Sequence, residues 1–126
     1  MSIGEGIVVL IVEDNEKNLK LVRDVLEFHG FTTVEARDAR SGILAASDTH
    51  PNVILMDIEL PDMDGVTALG HIRSDSALAA IPVVALTASA MPDDRQRFTD
   101  AGFEGYMPKP IDIRALPDQV RSYCKG

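Results

Sequence analysis

Four apolar residues, Val53-Ile54-Leu55-Met56, run into Asp57 and are bracketed by Pro51-Asn52 on one side and Pro61 on the other. An unbroken apolar run of this length between turn residues predicts a strand covered on both faces, the condition of a central strand in a parallel sheet. Asp57 closes that strand at its carboxyl end, where open α/β sheets place their ligands. An aspartate there also suits a simple cap on the following turn. The remainder of the chain bears on which of the two it is.

Two further stretches repeat the pattern. Ile7 to Val12 is β-branched and aliphatic throughout and stops at Glu13-Asp14-Asn15. Ile81 to Leu86 is apolar with a proline tolerated near its start, and it runs out in Thr87-Ala88-Ser89-Ala90. Phe31 to Ala36 alternates apolar and polar side chains, and Phe103 to Met107 is a last short strand ended by Pro108-Lys109-Pro110.

Helical spacing follows each strand. Leu19, Val22 and Leu26 lead to Gly30 as a carboxyl-terminal residue, and Ile43, Leu44 and Ala46 give a weak face reaching Asp48-Thr49. The turn-rich loop Glu59 to Gly65 precedes Val66, Leu69 and Ile72. Pro92, Asp93 and Asp94 open a fourth helix whose apolar face is thin, little more than Met91, Phe98 and Ala101, so it is expected to be among the easier elements to displace. Asp112 can cap a fifth helix carrying Leu116, Val120 and Tyr123, where Pro117 predicts a distorted first turn or a start near residue 115. Strand then helix, five times over, predicts one doubly wound α/β domain with helices on both faces, over residues 7–124, after a loose lead of residues 1–6.

Composition excludes several classes of function. A chain of 126 residues supports one core, and a net charge of −8 disfavours direct binding of nucleic acid, which needs basic surface. No apolar stretch approaches membrane-spanning length and no signal peptide is evident, so a cytoplasmic location without membrane contact is expected. The single cysteine, Cys124, can form no internal disulfide. Gly4-x-Gly6 precedes its strand instead of following it, and Asp62-x-Asp64-Gly65 has Leu60 where a first calcium ligand belongs, so neither a dinucleotide loop nor a calcium loop is read.

The strand ends carry the chemistry. Glu13 and Asp14, Asp57, Thr87 and Lys109 follow four of the five strands and should open on one edge of a parallel sheet. Each has an ordinary explanation alone: a helix cap, a satisfied strand hydroxyl, a solvated lysine. Converging carboxylates repel, and one takes up a proton unless a cation resolves the conflict. A hard divalent cation, Mg²⁺ above all, suits oxygen ligands and keeps waters for an incoming phosphoryl group, whereas zinc lacks its usual histidine and cysteine ligands. Phosphoryl transfer onto a carboxylate needs little besides a nucleophile in line, a cation and fixed donors. Asp57 could be the nucleophile, Glu13 and Asp14 the metal holders, Thr87 and Lys109 the donors.

Leu10-Ile11-Val12-Glu13-Asp14-Asn15, Leu55 to Pro61 with Asp64-Gly65, Pro82 to Ala88, and Lys109-Pro110 together resemble the receiver domain of two-component response regulators, over about Ile7 to Tyr123. The resemblance implies a flavodoxin-like sheet of strand order 2-1-3-4-5 and a phosphoacceptor at Asp57. It implies Mg²⁺ held by Asp14 and Asp57 directly, by Glu13 through water, and by the backbone carbonyl of Glu59. Thr87 would be the hydroxyl that turns toward the phosphoryl group, Lys109 its salt-bridge partner, and Tyr106 the aromatic that changes rotamer with Thr87. Lys109-Pro110 would be cis, and Glu59 and Ser89 would set how long the phosphoryl group survives.

With no room for an output domain after Tyr123, the chain is similar to the stand-alone regulators, and among them those of the cell cycle. Its expected partners are a histidine kinase or histidine phosphotransfer protein upstream, and a protein target reached through the fourth helix, fifth strand and last helix. A monomer or a weak, phosphorylation-dependent dimer is expected, acting as a phosphoacceptor and not as a turnover enzyme. Two other classes stand beside this one. A constitutive scaffold would bind its partner equally with or without phosphate. An aspartate-nucleophile phosphatase would need a second aspartate at residue 59, where Glu59 stands, and a cap over the site.

Overall fold

The apolar runs lie side by side in the computed structural model, which describes residues 3–88 and 91–124. In chain order the elements are β1 (Val8–Val12), α1 (Glu16–Phe28), β2 (Thr32–Ala36), α2 (Ala39–Thr49), β3 (Val53–Asp57), α3 (Gly65–Ser74), β4 (Val83–Thr87), α4 (Pro92–Ala101), β5 (Gly105–Pro108) and α5 (Leu116–Tyr123). Every strand pair is parallel and the order is β2-β1-β3-β4-β5. The sheet therefore reverses its direction of growth between β1 and β3, and the carboxyl ends on either side of that point frame a crevice.

Alternation along the central strands divides the core in two. Leu10, Val12, Ile54, Met56, Val83 and Ala85 face α2, α3 and α4, whereas Val9, Ile11, Val53, Leu55, Val84 and Leu86 face α1 and α5. This is why β3 and β4 are buried at every position while the edge strands β2 and β5 are only partly covered.

Helix ends follow from local chemistry. The Asn15 side chain accepts the N–H groups of Lys17 and Asn18 at the start of α1, and Asp64 accepts that of Thr67 at the start of α3. Pro117 costs α5 little, because the helix starts at Leu116 and its second position needs no intrahelical hydrogen bond there. Asp112 closes the turn just before it, its carboxylate accepting from the Arg114 N–H at 3.0 Å. Gly65 lets α3 approach β3: a Cβ at that position would stand 2.9 Å from the Cα of Ile58.

Two expectations about faces are corrected. Leu44 is 66% exposed, whereas the expected Ala46 is buried along with Ala39 and Gly42, and Ile43 packs half-buried against the core. Small residues win there because the helix lies close on Val12, whose Cγ2 would be 2.8 Å from a Cβ at Gly42. Met91 is likewise exposed, so among the described side chains of α4 Phe98 is the buried anchor. In the lead, Ile3 packs against the α1/α5 side of the core and the Gly4 N–H donates to the His29 carbonyl. Among the described residues no helix is long and apolar enough to cross a membrane.

Candidate phosphoacceptor and cation site

The ends of β1, β3, β4 and β5 open together on a cleft of about 510 Å³, lined among others by Asp14, Asn15, Asp57, Glu59, Thr87 and Lys109. Parallel pairing in register carries them there: Val12 lies beside Met56, Asp57 beside Leu86, and Thr87 beside Pro108. Glu13 lies beneath, almost wholly buried, and one oxygen from each of Glu13, Asp14 and Asp57 falls within 4.8 Å of the others.

Lys109 sits between two of these acids. Its ammonium is 2.7 Å from Glu13 Oε1 and 3.0 Å from Asp57 Oδ2. The other Asp57 oxygen, Oδ1, accepts the Glu59 N–H at 2.9 Å. Asp57 is thus oriented through both oxygens, one from its own loop and one from β5. The Lys109–Pro110 peptide is cis, and the Lys109 N–H donates to the Thr87 carbonyl at 2.7 Å, joining the two strand ends.

One ammonium does not balance three acids, and the Glu13 carboxyl shows the conflict. Burial, then its hydrogen bond with Asp57, pushes it up to about 7 despite the attraction of Lys109. Burial would raise Asp57 as well, but hydrogen bonds with Glu13, the Glu59 N–H and Lys109 outweigh it and hold that carboxyl below its usual range. Burial draws the Lys109 ammonium down, and its bonds to Glu13 and Asp57 more than reverse this. Surplus negative charge on an all-oxygen donor set, with no histidine or cysteine in the cluster, fits a hard divalent cation such as Mg²⁺.

Thr87 is buried at the end of β4 and its residue lines the cleft. Tyr106 is placed differently. It pairs with Ala85, packs half-buried on the side of the sheet that bears α2, α3 and α4, and carries the Arg95 guanidinium 5.1 Å from its ring centroid. Ser89, the residue expected to tune the lifetime of the phosphoryl group along with Glu59, lies outside the described residues.

Some supporting residues left no sign in the sequence. The Asn18 amide donates to Glu13 Oε1 at 3.3 Å, one turn into α1, where no spacing rule singles it out. Asp62 accepts the N–H groups of Ala39 and Arg40 at 2.8 and 3.0 Å, a contact between segments more than twenty residues apart. Arg73 donates to the carbonyls of Ala79, Ile81 and Gly102 and to the Glu104 carboxylate, tying the loops on either side of β4.

A five-stranded parallel sheet with an acid cluster and a lysine at its carboxyl edge defines a class, and the family match agrees: the model of the response regulator receiver domain covers residues 9–121, and the chain belongs to that family. It is 41% identical to the polar-differentiation response regulator DivK of Brucella ovis over 115 residues, 91% of this chain and 94% of that protein. The same regulator of Brucella anthropi is 40% identical over the same shares. Among solved structures, the chemotaxis response regulator CheY4 of Vibrio cholerae superposes with a TM-score of 0.87 at 25% identity, covering 93% of this chain and 98% of that one. The receiver domain of a sensor histidine kinase from Pseudomonas aeruginosa, solved with a magnesium ion coordinated in its active-site cleft, gives 0.85 at 30% identity, covering 94% and 97%.

Proposed function

We propose that this protein is a phosphorylation-controlled switch in a two-component phosphorelay, with Asp57 as the phosphoacceptor. The observation that carries the reading is the Asp57 carboxylate, held by the Glu59 N–H and the Lys109 ammonium at the mouth of an acid-lined cleft. An Asp57 oxygen bonds to phosphorus as the phosphorus–nitrogen bond of a phosphohistidine donor breaks. The electron pair leaves with the imidazole nitrogen, and Asp57 becomes an acyl phosphate. The donor is a histidine kinase or a histidine phosphotransfer protein.

Asp14 and Asp57, with Glu13 and the Glu59 carbonyl, would hold Mg²⁺, which would supply positive charge to offset the negative charge gathering on the transferring oxygens. Lys109 supplies a fixed counter-charge from the β5 side. The new phosphoryl oxygens attract the Thr87 hydroxyl and Lys109, and the equilibrium of α4 and Tyr106 shifts toward a form that binds a protein target through α4, β5 and α5. The protein acts as a monomer or a weak, phosphorylation-dependent dimer.

Intact-mass spectrometry after treatment with acetyl phosphate tests the acceptor. Wild type with Mg²⁺ is expected to gain one phosphoryl group, and wild type without Mg²⁺ or Asp57→Asn with it to gain none. Labelling of Asp57→Asn at the wild-type level would remove Asp57 from the role. Partner affinity unchanged by phosphorylation would favour a constitutive scaffold instead.

A further inference from the structure

The loop between β3 and α3 carries Glu59 to the cleft, and it is fastened at both ends of its turn. At its base, Glu59 and Asp64 form an isolated antiparallel bridge, and the Gly65 N–H donates to the Ile58 carbonyl at 2.7 Å. At its tip, the exposed Asp62 reaches across to the amino end of α2. Its Oδ1 accepts the Ala39 N–H at 2.8 Å and its Oδ2 the Arg40 N–H at 3.0 Å.

These two N–H groups are the first of α2, which the helix itself cannot satisfy. The helix already has a local cap: the Asp38 side chain accepts the Ser41 N–H at 2.7 Å. Two aspartates therefore divide one helix start, Asp38 from within the chain's own entry to α2 and Asp62 from a loop more than twenty residues away. The distant one does something the local one does not. A carboxylate at a helix amino end, gripping two donors, ties the loop to an element whose Ala39 is fully buried and whose Gly42 lies against Val12. Val12 belongs to the strand that delivers Glu13 and Asp14. Asp62 thus braces the loop that brings the Glu59 carbonyl to the cleft against the same framework that brings the acids.

We propose that Asp62 is a positioning residue of the cation site, which holds the Glu59 loop in place by its double hydrogen bond to the amino end of α2. It touches neither cation nor phosphoryl group and acts through Glu59. The proposal rests on the reading of Glu59 as a cation ligand, so its test has one arm with the cation and one without.

In the first arm, Mg²⁺ affinity is measured by amide NMR titration with MgCl₂ for wild type, Asp62→Ala, Asp62→Asn and Asp38→Ala. Loss of a supporting residue around a metal ligand commonly costs 10-fold or more in affinity, so Asp62→Ala is expected to bind Mg²⁺ about 10-fold more weakly. Asp62→Asn, which keeps one acceptor, is expected to fall between it and wild type. Asp38→Ala removes a cap from the same helix without touching the loop, and is expected to bind as wild type does. In the second arm, hydrogen exchange of the Glu59 and Gly65 amides is followed in the metal-free proteins, where faster exchange is expected in Asp62→Ala and not in Asp38→Ala.

Equal weakening of Mg²⁺ binding by Asp38→Ala and Asp62→Ala would reduce Asp62 to a helix cap and overturn the proposal. So would wild-type affinity in Asp62→Ala. If wild type itself binds no Mg²⁺, the cation reading fails on its own, and unchanged exchange in Asp62→Ala would then defeat the bracing role as well.

Discussion

α1 and α4 lie on opposite sides of the sheet and are fastened in opposite ways. α1 buries Leu19, Val22 and Leu26, and Asn15 caps its start with two hydrogen bonds. In α4, Phe98 is the buried anchor among the described side chains, and the N-cap residue Met91 makes no side-chain hydrogen bond to the helix start. Phe98 meets Phe103 edge-on, and just past the helix the Arg73 guanidinium donates to the Gly102 carbonyl at 3.0 Å. A buried aliphatic side chain contributes about 1.5–3 kcal/mol, so three anchors against one is a large difference in local stability. The contrast teaches that the helix following the acids is held by more buried side chains than the described part of the helix following Thr87.

The largest effect expected from this contrast is on stability. Leu26→Ala should lower the unfolding free energy by about 2–5 kcal/mol in urea titrations. Phe98→Ala should instead release α4 alone, speeding amide exchange in residues 93–101 while α1 keeps its protection. Equal global losses, with α4 still protected, would break the comparison.

The next effect belongs to the acids on the fixed side. The Glu13 carboxyl is raised to about 7 from an ordinary value of 4.5, so the folded metal-free protein holds a proton there that the unfolded chain gives up earlier. This contribution to stability is fully present below about pH 4.5 and is lost as pH rises through about 7. Urea midpoints in a chelator should therefore fall between pH 5 and 8, a range in which the lowered Asp57 stays ionised throughout. A flat profile there would contradict the placement of Glu13.

Two smaller changes sharpen the picture of α4. Met91→Ser places a capping hydroxyl where Met91 offers none and should stabilise the helix by about 1 kcal/mol, visible as slower exchange in its first turn. Arg95→Ala removes the guanidinium from the Tyr106 ring, a contact worth about 0.5–1 kcal/mol at an exposed site, and should shift the Tyr106 ring resonances. Unmoved resonances would show that Arg95 does not hold the ring.

Sequence reasoning reached the parts of this molecule that depend on one segment at a time. Val53 to Met56 had to be covered on both faces, and the acids at Glu13, Asp14 and Asp57 had to share an edge once the strands were parallel. On α2 it was right about Ala46 but wrong about Leu44, and it missed Ala39 and Gly42, because close approach to Val12 rewards the absence of bulk. It was blind to Asp62 and Arg73, whose hydrogen bonds join segments distant in the chain and follow no period. It also left open whether Asp57 was a turn cap or a reactive group. Asp57 does accept an N–H from its own turn, at Glu59, and it meets Lys109 as well, so the two readings are not exclusive.

Because successive side chains of β1 and β3 belong alternately to two separate cores, these strands tolerate no sliding. Displacement by a single residue would swap every inward-facing aliphatic to the wrong layer and move the aspartate at the tip of β3 off its alignment with Leu86. The hydrocarbon interior thereby works as a ruler: the same oily contacts that hold the molecule together meter out, to within one peptide unit, where the Asp57 carboxylate emerges.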